Sequence, residues 1–254
     1  MKYFFTILTI ILWSNLFAQK RVKTLLGNKK FVWIADSSST QLTFYYQPDS
    51  WASKRLNLVR DSLVMHIRSV ETFVGINHYS PRIHVFIVED RKQMKALTGF
   101  TTNGKADHRF NTISGILSDD TKTLFANHEF FHIIAANTWG WPNHWVNEGM
   151  AVYSDRKWNG YDFYPLTKYL IDKNRYIPLE GLLSEFKRQD ASLSYPLLGS
   201  FVKYLDETYG KEVLVGVWKN GYKSLPYLTG KNLSSLEQDW LAKAKTADYG
   251  NMSY

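Results

Sequence analysis

The sequence predicts an α+β protein, with strands concentrated before about residue 118 and helices after it. In the first part several segments have the β-branched composition and alternation of strands, and in the second the apolar residues recur at helical spacing. The chain has 254 residues, of which 44% are hydrophobic and 16% aromatic, which is enough for a sizeable core. We expect one domain over 19–254, with a sheet-rich lobe at 19–118 and a helical lobe at 119–254.

The predicted elements follow from this change of pattern. Four strands are expected, at Lys30–Ala35, Gln41–Gln47, Arg82–Glu89 and Thr112–Leu117. The helices expected among them are Ala52–Val74 and Arg91–Leu97. Asp119 or Asp120 can cap a further helix, Thr121–Asn137, which would end before Gly140. The remaining predicted helices are Trp145–Lys157, Tyr164–Asp172, Leu179–Arg188, Tyr195–Tyr209, Lys211–Asn220 and Leu233–Thr246.

Residues 1–18 have the layout of a secretory signal peptide. Lys2 precedes an apolar run that ends at Ala18, before the polar Gln19. The alternative is a retained membrane anchor, but the run is shorter than the roughly 20 residues that span a bilayer. We therefore expect cleavage after Ala18 and an exported protein, periplasmic or secreted, without stable membrane insertion.

Composition excludes several classes of function. The chain contains no cysteine, so disulfides, thiolate metal sites and a cysteine nucleophile are ruled out, and any metal must bind to histidines and carboxylates. The formal net charge is +8, yet the basic residues are scattered among acidic ones and form no nucleic-acid motif. We expect no nucleic-acid partner, and the sequence does not indicate an oligomeric state.

Residues 128–132 read His-Glu-Phe-Phe-His within a predicted helix. Residues four apart on an α-helix are about 40° apart around its axis, so His128 and His132 can bind one ion. Glu129 lies about 100° round from His128, which suits a general base acting on a water at the metal better than a third ligand.

A catalytic zinc ion takes three protein ligands and keeps one position for water. Glu148, in the segment Trp-Val-Asn-Glu-Gly-Met-Ala at 145–151, is the expected third ligand of a single Zn²⁺. The alternative is that the two histidines are ordinary partly buried residues and that Glu148 is a surface carboxylate.

These motifs resemble the gluzincin clan of zinc peptidases, which includes thermolysin and the large zinc aminopeptidases, and within it the small bacterial peptidases called MA-like. HEFFH followed by WVNEGMAVYSD is similar to the clan's ligand pair and glutamate helix, and YPLLGSFVKYLDETYGKEVL resembles the helix pair that follows. The similarity covers roughly residues 110–245. It implies a zincin-like fold, with the active-site helix between a mixed-sheet lobe and a helical lobe, and a peptide or protein substrate.

The resemblance also implies further site residues. Asp155 matches an acid that orients a ligand histidine, and Tyr195 matches a tyrosine that stabilises the oxyanion and begins a helix. Thr112 to Gly115, and among them Ile113, Ser114 and Gly115, match an edge strand that pairs with the substrate backbone. A surface charge, a packing tyrosine and an ordinary strand are the alternatives.

The leading functional hypothesis is hydrolysis of peptide bonds by an endopeptidase, because the stretch around Asn111–Leu117 lacks the acid with which the aminopeptidases bind a substrate amino terminus. A second hypothesis is a catalytically idle, zinc-stabilised protein that binds a peptide or a cell-wall partner. The third is a basic interaction module without a metal. We expect His66, His78, His84 and His108 to be structural, since they show no ligand spacing.

Overall fold

The computed structural model describes residues 19–142 and 144–254, so the predicted signal peptide lies outside the described residues. The strands are β1 (Ile34–Asp36), β2 (Leu42–Tyr46), β3 (Ile83–Val88), β4 (Gly104–Asp107) and β5 (Thr112–Ile116). The helices are α1 (19–26), α2 (Leu56–Val74), α3 (Arg91–Thr98), α4 (His128–Trp139), α5 (His144–Ser154), α6 (Phe163–Asp172), α7 (Leu179–Ser184), α8 (Ala191–Tyr209), α9 (Lys211–Asn220), α10 (Leu225–Thr229) and α11 (Leu233–Lys245). The predicted α+β class is confirmed.

The chain forms two compact units, which divide between Thr138 and Trp139. The first contains the whole five-stranded sheet, and the second is helical. Among the described residues, none of the helices combines the length and the hydrophobicity needed to cross a membrane.

The sheet of the first unit is mixed and has the strand order β1-β2-β3-β5-β4. β2, β3 and β5 run parallel to one another, whereas β1 and β4 are antiparallel to their neighbours. The central strand β3 is an almost continuous apolar run, Ile-His-Val-Phe-Ile-Val, and five of its six residues are buried. Such a run is typical of a strand that is covered on both faces.

The edge of this sheet differs from the prediction. The strand predicted at Thr112–Leu117 is present as β5. The resemblance implied that its residues Thr112 to Gly115 lie at an edge, but β5 pairs with β3 on one side and with β4 on the other. The edge is β4, whose sequence Gly-Lys-Ala-Asp lacks the alternation and β-branching that identify a strand, so the sequence did not predict it. Which strand lies at the edge of a sheet depends on which segments, far apart in the sequence, pair with one another.

Helix α2 confirms the long helix predicted in the first half of the chain, and it has one apolar, buried face. Val59, Leu63, Ile67 and Val70 are fully buried at helical spacing, and Gly75 ends the helix in a left-handed conformation. Asp90 caps the start of helix α3, and its side chain accepts a hydrogen bond from the backbone N–H of Gln93.

The helix predicted over Thr121–Asn137 is wrong in its first half, because α4 begins at His128. The backbone N–H of Ser118 donates to the carbonyl of Thr121, and Leu117 forms a bridge with Lys122. These turn contacts use the backbone groups that a helix starting at Thr121 would need. The His-Glu-Phe-Phe-His segment therefore occupies the first turns of its helix, and the residue before it, Asn127, accepts the hydrogen bond of Phe131 N–H.

In the second unit α8 packs against α5 and α6, and glycines allow the close approach to α5. A Cβ added at Gly149 would lie 2.6 Å from Cγ of Leu198 and 3.0 Å from Cγ2 of Val202. One added at Gly199 would lie 2.6 Å from Cγ1 of Val152. The glycine of the Asn-Glu-Gly motif is thus a packing residue for the helix that carries Glu148.

Candidate metal centre

His128 and His132 lie on the first two turns of α4, four residues apart. Their ring centroids are 4.8 Å apart, and the ring planes are nearly perpendicular, at 89°. Both side chains are partly buried. The predicted helical spacing therefore brings the two imidazoles together.

Glu148 on α5 completes the group predicted from the sequence. One ligand atom from each of His128, His132 and Glu148 can be chosen so that all three lie within 4.8 Å of one another. The group could hold a metal ion. Two imidazoles and one carboxylate fit zinc, which accepts nitrogen and oxygen ligands and keeps a further position open in catalytic sites of this composition.

Glu129, the predicted base, is buried and only 9% exposed. It lies against the edge strand, since a Cβ added at Gly104 would lie 2.3 Å from Oε1 of Glu129 and 2.9 Å from its Cδ. A larger residue at this position of β4 would require the carboxylate to move. A glycine in a strand can mark such a close approach, but Gly104 lies in a segment that was not predicted to be a strand.

The residue on the other face of β4 from Gly104 is Lys105, because side chains alternate along a strand. Its Nζ lies 3.4 Å from the centroid of the Phe100 ring. Burial, and after it the positive charge of Arg21, lowers the pKa of Lys105. The strand that contacts Glu129 through Gly104 therefore carries a basic side chain on its other face.

Asn127, which directly precedes His128, is held by two side chains of α2. Its Oδ1 lies 2.9 Å from Nδ1 of His66, and its Nδ2 donates to Oγ of Ser69 at 3.1 Å. The His66 ring also stacks on Phe130, with centroids 6.5 Å apart. The sequence predicts only a structural role for His66, because it shows no ligand spacing and Asn127 lies 61 residues further along the chain.

Tyr195 lies in the second turn of α8, not at its start as predicted, because Asp190 caps the helix and α8 begins at Ala191. Its ring packs between Trp158 and Phe186, with centroid distances of 5.6 and 5.1 Å. The phenol oxygen of Tyr254 accepts from the indole of Trp158 at 2.8 Å and donates to the carbonyl of Ser192. Tyr254 thus contacts both the ring partner of Tyr195 and the first turn of its helix.

Two other predicted sites differ from expectation. Asp155 lies one residue beyond α5, in a turn where its N–H donates to the carbonyl of Val152, so it is not two turns along the same helix as Glu148. Ile113, Ser114 and Gly115 are buried within β5, which pairs with strands on both sides. Their backbone is paired on both sides, so it is not the edge that the resemblance implied, and a part of these residues in substrate binding stays a prediction.

The remaining histidines and tryptophans have varied surroundings. His78 lies near the buried Glu71, and burial lowers the pKa of His84 and His108. Trp145 is buried and packs on Tyr222, whereas Trp141 is 73% exposed.

No protein-family model matches the chain, and no curated protein is similar enough to count as a relative. The site must therefore be interpreted from its own residues.

Proposed function

We propose that this chain is an exported zinc peptidase that hydrolyses internal peptide bonds of a peptide or protein substrate. The observation that carries the proposal is the grouping of His128, His132 and Glu148, with Glu129 buried in the same helical turn as His128. Gluzincin peptidases combine these residue types in the same order along the chain, which is what the resemblance of the motifs implies.

The chemistry divides among the residues of the site. His128, His132 and Glu148 would hold the zinc ion, which would supply Lewis-acid chemistry for activating water and polarising a carbonyl. Glu129 takes the proton of the attacking water and delivers it to the leaving amine, so that the peptide nitrogen departs neutral. Tyr195 supports the reaction as a hydroxyl donor to the oxyanion of the tetrahedral intermediate.

The substrate backbone is proposed to pair with β4, which replaces the strand predicted from the sequence. β4 is an edge strand, and an extended peptide can add to such an edge through main-chain hydrogen bonds. The close approach of Gly104 to Glu129 means that a peptide on this edge runs next to the base. Pairing of this kind does not require a free substrate terminus, which favours an endopeptidase.

The test is the Glu129→Gln variant, assayed with a peptide library and by zinc analysis. We expect one equivalent of zinc in both the wild type and the variant, and a fall in turnover of about 10²–10⁴-fold, because the amide cannot accept the proton. Glu180→Gln, at an exposed position of α7, is the matched control and should retain full turnover.

An unchanged rate in Glu129→Gln would overturn this mechanism. A wild-type protein that holds one equivalent of zinc but cleaves no member of a broad library would instead support a catalytically idle, zinc-stabilised binding protein.

A further inference from the structure

We infer that His66 and Asn127 form a positioning pair that holds the first turn of α4 in the geometry needed to bind the metal. This inference rests on the proposed zinc site. It assigns a role to two residues that are not metal ligands and that do not belong to the His-Glu-Phe-Phe-His motif. They affect the affinity for the metal indirectly, by fixing the position of the first turn of α4.

The start of α4 is the part of this helix that most needs support. His128 is its first residue, and the end of a helix frays because its first N–H groups lack partners within the helix. The side chain of Asn127 is 7% exposed, and both of its polar groups are directed to α2. The backbone at the first ligand is thus fixed from outside the helix.

The hydrogen bond of Asn127 to Ser69 bears on which atom is the donor in the contact between His66 and Asn127. With Nδ2 of Asn127 donating to Ser69, Oδ1 faces His66 and accepts the proton that Nδ1 of the ring carries. A ring without the Nδ1 proton would leave the buried Oδ1 without that donor.

The helix that bears His66 is itself firmly placed. Leu63, Ile67 and Val70 on α2 are fully buried, whereas the His66 ring is partly buried and stacks on Phe130 of α4. The position of α2 therefore determines the position of the first turn of α4. A small shift of that turn moves His128 relative to His132, and a site built from both rings depends on their separation.

The experiment measures zinc affinity by competition titration of the full chain with a chelator, for the wild type and for His66→Phe. Phenylalanine retains a ring to stack on Phe130 but removes the Nδ1–H donor. We expect affinity to fall by about tenfold, the lower end of the range for residues that support metal ligands. His66→Asn, whose amide can donate in place of Nδ1–H, should recover part of the loss.

The chain offers a closely matched control in His84→Phe. His84 is also partly buried, lies 3.1 Å through its Nδ1 from the phenol oxygen of Tyr45, and stacks on that ring with centroids 6.0 Å apart. It lies on β3, and its hydrogen bond and ring contact are with Tyr45 of β2, not with α4. We expect a comparable drop in the melting temperature of the metal-free protein but less than a twofold change in zinc affinity.

Equal zinc affinities of wild type and His66→Phe would overturn the inference, as would an equal loss in His84→Phe, since the effect would then be general destabilisation. These outcomes are separate from the failure of the proposed function. A chain that binds zinc in a His66-dependent manner but cleaves no peptide would retain the positioning pair and reject the peptidase.

Discussion

The two compact units hold their site residues in different ways. In the first unit, hydrogen bonds and a glycine position the site residues. Asn127 is hydrogen-bonded to two side chains of α2, and Gly104, which has no side chain, leaves room for Glu129. In the second, steric packing dominates, through the contact of Gly149 with Leu198 and the stacked rings around Tyr195. A residue at a helix start needs external hydrogen bonds, whereas one inside a packed helix is fixed by its neighbours.

Gly104→Ala tests the missing side chain and should have the largest effect. The new Cβ would contact Oε1, Cδ and Cγ of Glu129 at 2.3–3.0 Å, so the carboxylate must move. A displacement of about 1 Å can cost about 100-fold in rate, and we expect a loss of that order in kcat with zinc binding retained. Lys105→Ala, on the opposite face of β4, should change kcat much less. Full activity of Gly104→Ala would show that Glu129 is not constrained by the strand.

Gly149→Ala tests the packing of the second unit. The added methyl group overpacks the α5–α8 contact, and we expect a loss of about 2 kcal/mol in the free energy of unfolding. Gly181→Ala is the control, because this helical glycine has only Nε2 of Gln189 within 4 Å of an added Cβ, at 3.9 Å. It should be neutral or slightly stabilising. Similar denaturation midpoints for both variants would contradict the steric explanation.

Tyr254→Phe should have the smallest effect of the three. It removes the hydroxyl that links Trp158 to Ser192 and leaves the ring in place. If Tyr195 serves the reaction, a looser position of its ring should reduce kcat by about fivefold, roughly 1 kcal/mol, without changing zinc binding. In a Tyr195→Phe background the same substitution should have no further effect. An undiminished effect in that background would separate Tyr254 from Tyr195.

Local patterns account for what the sequence predicted correctly. β3 has a continuous apolar run, α2 has a buried face at helical spacing, and α9 has the predicted bounds Lys211–Asn220. The two histidines lie one turn apart on one helix, so their proximity also follows from local geometry. Elements and contacts that depend only on residues close together in the sequence can therefore be predicted without a structure.

The remaining features depend on pairs of residues far apart in the sequence. The contact of Gly104 with Glu129 requires β4 to pair with β5, and β4 has no strand signal of its own. The contact of His66 with Asn127 requires α2 to lie beside the start of α4. The start of α4 itself was misplaced because turn contacts at Ser118 competed with helix capping by Asp119 or Asp120. Helix propensity alone does not decide whether such a segment forms a turn or the start of a helix.

The strands at the two edges of the sheet are short, three residues in β1 and four in β4. Short edges and a lysine on the strand protect a sheet from extending into aggregates with other copies of the chain. The same shortness limits how many backbone hydrogen bonds any added peptide can form with β4. Tight binding of a peptide to β4 must therefore depend on contacts made by the side chains of the peptide. Unfolded chains that lack the right side chains would dissociate quickly.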